Sequence, residues 1–373
     1  MHSPRFTTLL QSVSGQPDAA ALDDFYREIR QTPELYRACE SMPARELHRA
    51  SLATIHDLGR SNVPIALGLA MHVYMCGAIA SFPIAATSPL GVFRGTFLQQ
   101  LNDQRLLLAN MASNRDLGAG DVPVSPQPQS DGYVITGRRS FMSLAHRADV
   151  LLLVVEIAGR HNIFLVPLQG NPAIRFGPSP VVGTMDLSET VSVELDGLEV
   201  QPLPSFGEAS AGRMTEMLAF QRIWFQSLVP AAYLGGARRA LEELVHVSRE
   251  RRSPQGGVLC ESEAFLAQLG ELRIRLDSAY DLLDGCGESI DALLREQQPI
   301  VRVYDRTVVA KLHATRTARE VVAEICALVG TASMRPDSVL ERIHREVAFA
   351  DFHPMSRFEG QQRLARRCLE EIE

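Results

Sequence analysis

The chain predicts an α+β fold in three successive parts: helices, then strands, then helices. Three observations carry this. Apolar residues recur at three and four positions up to about residue 109, branched residues cluster in short runs over the next ninety or so, and the helical period returns from about Ala209 to the end. At 373 residues the chain exceeds what one hydrophobic core usually fills, and a hydrophobic content of 46% is ample for two or three packed units. The expected divisions are an N-terminal α-helical domain over 1–109, a central β domain over 110–205 and a C-terminal helical bundle over 206–373.

In the first part, Asp23 and Asp24 sit before an aromatic and charged turn, and 45-RELHRASLATIHDLGR-60 repeats apolar positions at helical spacing. The next stretch, 63-VPIALGLAMHVYMCGAIASF-82, is apolar on almost all sides, which predicts a helix buried within a helical layer. Pro64, Pro83 and Pro89 mark helix starts or breaks. In the second part, runs at 133–136, 150–157, 163–168 and 191–195 are bounded by DG, AGRHN and QGNP, the composition of strands and turns. No strand-helix-strand unit separates them, so a small, mainly antiparallel domain is expected rather than a doubly wound nucleotide fold. In the third part, Leu266, Leu269, Leu272, Leu276, Tyr280 and Leu283 trace one helix face. Val308, Leu312, Thr315, Ala318, Val322, Ile325 and Val329 trace another. With the segment around 220–250 these helices can close a four-helix bundle.

Composition narrows the function. The formal net charge is −7 and no basic block stands alone, which argues against binding nucleic-acid backbones. No uninterrupted apolar run is long enough to span a bilayer, and the first residues, MHSPRFTTLLQSVSGQ, lack the pattern of a secretory signal. A cytoplasmic protein without a membrane role is the expectation. Cys39, Cys76, Cys260, Cys286, Cys326 and Cys368 form no CxxC, so reduced thiols are expected and no metal site. GxGxxG after a strand, GxxxxGK[ST] and HExxH are all missing. His56, His72, His246 and His313 lie in helical patterns with no ligand spacing among them.

Three segments have chemistry to offer. In 131-DGYVITGRRSFMSLAHRADVLLLV-154, Gly137 permits a tight bend, while Phe141 and Ser143 bring an aromatic wall close to a hydroxyl, a combination suited to a flat polar-edged ring. An ordinary hairpin with solvated Arg138 and Arg139 explains the same residues. In 249-RERRSPQGG-257, clustered guanidinium groups suit a phosphate, or form a solvated charge run. Near the end, Glu359 could remove a proton beside a thioester carbonyl if an apolar site raised its pKa, and His353 could exchange protons with an oxygen species or a polar substrate. An exposed terminal glutamate and a satisfied loop histidine are the plain alternatives.

Taken together, 51-SLATIHDLGR-60 with 65-IALGLAMH-72, 132-GYVITGRRSFMSLAHRADVLLLV-154, 183-GTMDLSETVSVELDGLEV-200, 307-TVVAKLHATRTAREVVAEICALVG-330 and 342-RIHREVAFADFHP-354 resemble the acyl-CoA dehydrogenase superfamily. The resemblance implies an FAD enzyme with an α-helical domain, a central β-barrel-like domain and a C-terminal four-helix bundle, assembled as a homodimer or homotetramer. Gly137, Arg139, Phe141, Met142 and Ser143 occupy the family's flavin-facing strand pattern, with Arg139 for its lysine and Phe141 for its tryptophan. The acidic flavin motif falls around 109–120, where Met111, Ala112, Ser113 and Asn114 are the implied donors or wall residues. Arg252 takes the place of the bundle's flavin-associated arginine, and Gly330, Thr331 and Ala332 that of its flavin-contacting turn.

The ending 358-FEG-360 nominates Glu359 as the base for α,β-dehydrogenation of an acyl thioester, on coenzyme A or a carrier, with an electron-transfer flavoprotein as acceptor. The words 352-FHP-354 resemble the flavin-dependent monooxygenase branch. There His353 would serve hydroxylation of a carbon or nitrogen centre, with a flavin reductase as partner. A non-catalytic binding protein derived from the family is the third reading.

Overall fold

A computed structural model describes residues 2–111, 121–181, 183–201, 211–252 and 256–372. Five helices come first: α1 (Pro4–Ser12), α2 (Ala19–Ile29), α3 (Ala44–Ser61), α4 (Val63–Ser81) and α5 (Pro89–Asp103). Their starts follow from local chemistry. Ser3, Asp18, Asn62 and Ser88 each accept a hydrogen bond from a first-turn backbone N–H, and prolines occupy the opening positions of α1, α4 and α5, where no N–H is needed. Helix α4 is buried on nearly every side, as its sequence predicts. Its length and composition would also let it cross a membrane, contrary to the sequence expectation that no such run exists; here protein surrounds it.

Among the described residues seven strands follow: β1 (Leu108–Met111), β2 (Val122–Gln129), β3 (Gly132–Met142), β4 (Val150–Ile157), β5 (Arg160–Pro167), β6 (Ile174–Phe176) and β7 (Val191–Val200). They form two sheets, β1-β4-β5 and β2-β3-β7-β6, rather than the closed barrel-like arrangement expected. All pairings are antiparallel except β1 with β4. The β4–β5 hairpin turns through Ala158 and Gly159, both at positive φ (50° and 75°), the backbone twist a two-residue loop requires. Three strands escape a reading by composition. β1 and β6 are too short to show a period, and β2 reads VPVSPQPQ, whose prolines are tolerated because it lies at a sheet edge.

The last part holds α6 (Ala211–Glu250), α7 (Glu263–Leu294), α8 (Ile300–Val329), α9 (Val339–Val347) and α10 (Arg357–Ile372). Three long helices and two shorter ones thus make up the C-terminal helical region among the described residues. The α8 face is buried largely as its spacing predicts, but Leu266 at the start of α7 is 49% exposed. Helix α6 packs against α8 on one side and against α3 and α4 on the other, joining the two helical regions. This approach is close because glycines permit it. A Cβ on Gly59 of α3 would strike the Ala232 carbonyl of α6, one on Gly235 would strike the His56 carbonyl of α3, and the ring of Trp224 fills the space beside Gly77 of α4. Gly235→Ala is therefore expected to lower stability by about 1–3 kcal/mol through forced separation of α3 and α6. Chemical denaturation measures it, and an unchanged midpoint would remove the close approach as a packing constraint.

Candidate active site

A cavity of about 410 Å³ opens where α4, the β1-β4-β5 sheet, the start of α6, α8 and the 354–359 segment converge. Its polar wall includes Tyr74, Asn110, His161, Thr215, Gln221, Arg222, Gln226, Tyr304 and Glu359, and its apolar wall includes Val154, Leu218, Phe225 and Met355. Asn110 donates its amide to the Tyr74 hydroxyl at 2.7 Å, while Gln226 accepts from Thr307 Oγ1 at 2.8 Å. Two buried polar atoms on this wall have no hydrogen-bond partner, Asn110 Oδ1 and Gln221 Nε2. One accepts and the other donates, which suits a ligand with both functions along its edge, as a flavin ring has.

Glu359 lines the cavity, but its environment is the reverse of the apolar one that would raise its pKa. It stands in the first turn of α10, where its Oε2 accepts from Ser356 N–H at 2.8 Å and its own N–H donates to Ser356 Oγ at 3.3 Å. Ser-Arg-Phe-Glu at 356–359 is thus a reciprocal helix cap. Those hydrogen bonds from Ser356 hold the exposed carboxyl below its usual range, with Arg222 and Lys311 adding to the effect.

His353 does not line the cavity and lies behind Phe225, its ring edge-on to that side chain at 6.3 Å. Its Nε2 meets the hydroxyl of Tyr233, a fully buried residue of α6. Burial, reinforced by the nearby Lys311 cation, lowers the imidazole to about 3, so it is neutral at physiological pH. Tyr233 is raised by burial and by the Glu346 carboxylate. Glu346, on α9, is itself pushed up to about 7 by burial; one oxygen lies 3.3 Å from Arg342 and the other has no hydrogen-bond partner.

The remaining expected residues lie at several places. Met111 ends β1 beside Asn110 and is buried, whereas Ser113, Ala112 and Asn114 fall outside the described residues. Phe141 sits at φ 63° with its side chain 62% exposed, Met142 is buried against the sheet, and Ser143 bonds Thr190 Oγ1 at 2.7 Å. None of these three lines the cavity. Arg252 is exposed and bridges to Val258. Its neighbour Arg251 makes the contact with the turn at Gly330 and Thr331, donating to the Leu328 and Val329 carbonyls at 3.2 and 2.7 Å.

Sequence reasoning passed over Lys311. The 37 basic residues of the chain include this single lysine. It is 1% exposed on the inner face of α8 and donates to the carbonyls of His353 at 3.1 Å and Met355 at 2.8 Å. One ammonium group therefore fixes the segment between His353 and the start of α10. Burial lowers it to about 8, against a smaller opposing effect of Glu359. Composition alone singles it out.

The family model described as acyl-CoA dehydrogenase, C-terminal domain, matches residues 227–358. The chain is 22% identical over 239 residues to L-prolyl-(peptidyl-carrier protein) dehydrogenase from a Serratia species, covering 61% of this chain and only 59% of that protein's length. It is 24% identical over 324 residues to isobutylamine N-hydroxylase from Streptomyces viridifaciens, covering 76% of this chain and 79% of that one. Among solved structures, FMN-bound TdsC from a Paenibacillus species superposes with a TM-score of 0.76 at 20% identity, covering 95% of this chain and 92% of that chain.

The lysine has a measurable signature. With a folded pKa of about 8 against the usual 10.5, the unfolded chain binds more protons between these values, so the contribution of Lys311 to stability rises with pH across that window. Relative to Lys311→Met, the wild type is expected to gain on the order of 2 kcal/mol between pH 8 and 10, measured by urea unfolding. A difference that does not vary with pH would show that Lys311 titrates as an exposed lysine does.

Proposed function

We propose that the chain is a flavin-dependent oxidoreductase of the acyl-CoA dehydrogenase superfamily and of the monooxygenase kind, hydroxylating a small polar substrate at nitrogen or carbon. The observation that carries this reading is the state of Glu359. Removing a proton beside a thioester carbonyl asks for a carboxylate raised toward neutrality. Glu359 is instead exposed, committed to the cap of α10 and lowered. Acyl-thioester dehydrogenation, the activity the resemblance first suggests, therefore has a weak base at the expected position. The many polar side chains of the cavity also suit a small hydrogen-bonding substrate better than a long acyl chain.

A flavin, FMN or FAD, would supply the redox chemistry when bound. Asn110 and Gln221 are the residues that would hold it or the substrate's polar edge, since each has a buried group awaiting a partner. Met111, Phe141, Met142 and Ser143 remain the family-derived candidates on the sheet side, and Arg252, Gly330 and Thr331 those on the bundle. Phe225, Leu218 and Met355 keep water from the apolar half of the cavity. His353 acts through position: its neutral ring is hydrogen-bonded to the Tyr233 hydroxyl, and its carbonyl is held by Lys311.

The test is a pair of assays on protein reconstituted with FMN or FAD. With reduced flavin supplied, a panel of primary amines is expected to drive oxygen consumption with formation of an N-hydroxylated product. Without oxygen, a panel of acyl thioesters is expected to leave the flavin absorbance unchanged. Bleaching by an acyl thioester that disappears in Glu359→Gln would reverse the assignment and restore Glu359 as the base.

A further inference from the structure

The cavity contains two opposite charges that do not satisfy one another. Arg222, on the exposed side of α6, has neither a hydrogen bond nor an ion pair among the described residues. Glu359 uses Oε2 in its cap, which leaves Oε1 available. They are near enough for Arg222 to help lower Glu359, yet they make no ion pair with each other. A guanidinium without a partner is a fork for a carboxylate, and a free carboxylate oxygen is an acceptor for an ammonium group. The same cavity is lined by Gln221, 5% exposed, whose Nε2 has no partner. The apolar side chains of Leu218, Phe225 and Met355 complete the same cavity.

We propose that this cavity selects substrates carrying both an ammonium and a carboxylate, as a free amino acid does, with Arg222 holding the carboxylate, Glu359 the ammonium and the apolar wall the side chain. Glu359 is then an anchor that orients the nitrogen, not a base. Two charges fixed by two protein groups give discrimination that neither supplies alone, because a ligand lacking one leaves the opposing charge without its partner. The proposal rests on the hydroxylation reading for what happens to the nitrogen, but ligand selection is measured without turnover.

Isothermal titration of the flavin-loaded protein with L-valine, isobutylamine and 3-methylbutanoate compares one skeleton with both charges, with only the ammonium and with only the carboxylate. L-phenylalanine, phenethylamine and 3-phenylpropanoate repeat the comparison for a larger side chain. In at least one series the amino acid is expected to bind about tenfold or more tightly than either half-ligand. Arg222→Gln is expected to abolish the advantage over the amine, and Glu359→Gln the advantage over the acid; glutamine preserves the cap of α10, so the second variant keeps its fold. No advantage in either series, including no measurable binding, overturns the proposal. So does loss of flavin from Arg222→Gln with ligand preference unaltered, which would give that arginine to the cofactor. Amino-acid binding of the expected pattern with no oxygen consumption would instead refute the hydroxylation reading and leave the selectivity standing.

Discussion

The close approach of α6 to α3 and α4 is the constraint on which the arrangement depends. Helices normally stand 8–10 Å apart because side chains separate them. Here Gly59 and Gly235 bring backbone against backbone, and Trp224 is pressed into the notch beside Gly77. That packing determines which residues at the start of α6 face the sheet. Trp224 and Ile223 enter the core, and Gln221, Arg222, Phe225 and Gln226 are left to line the cavity. The polar wall is therefore a consequence of helix packing in a region whose own sequence, FQRIWFQS, offers no catalytic motif.

A second constraint acts from α8. An ammonium group enclosed by protein is costly unless its donors are met, and Lys311 meets two of them with backbone carbonyls. The constraint runs both ways: the carbonyls of the 353–355 segment accept from the ammonium group, and that group holds the segment in place, although burial still lowers its pKa. Because Ser356 and Glu359 cap α10 immediately afterwards, the orientation of Glu359 is inherited from Lys311 through a few residues of backbone. An arginine there would bring a larger, planar head group, which is a physical reason for lysine at this one position in a chain that otherwise uses arginine.

Much of the fold was legible because it depends on period. The buried character of α4, the stripe along α8 and the four strongest strands all follow from local patterns. What was not legible depends on partners distant in sequence. Strand β1 has only four residues and takes its identity from parallel pairing with β4, and the separation into two sheets is a matter of which edges meet. The site divides in the same way. Glu359 was found from its neighbours and does face the cavity, whereas Asn110, Gln221 and Arg222 become notable only once α4, α6 and β1 converge. Lys311 was an exception. It is the single lysine of the sequence, a fact that composition alone shows, while its two carbonyl partners at 353 and 355 are set by the fold.

Glu359 shows why a local motif under-determines a role. Ser-Arg-Phe-Glu satisfies the requirements of a helix cap, and Phe-Glu-Gly satisfies the ending from which a family base is inferred, using the same glutamate. The two roles make opposite electrostatic demands. A cap stabilises the ionised carboxylate by hydrogen bonds from the helix start and so weakens it as a base, while a base benefits from desolvation that brings its pKa toward the working pH. Here the hydrogen bonds from Ser356 prevail and exposure leaves little desolvation to oppose them. A carboxylate in that state is better suited to hold a cation than to take a proton from carbon, and the neighbouring guanidinium of Arg222 makes the same cavity fit a ligand of both charges. The chemistry at this position thus follows from what surrounds the glutamate, beyond the three letters that first drew attention to it.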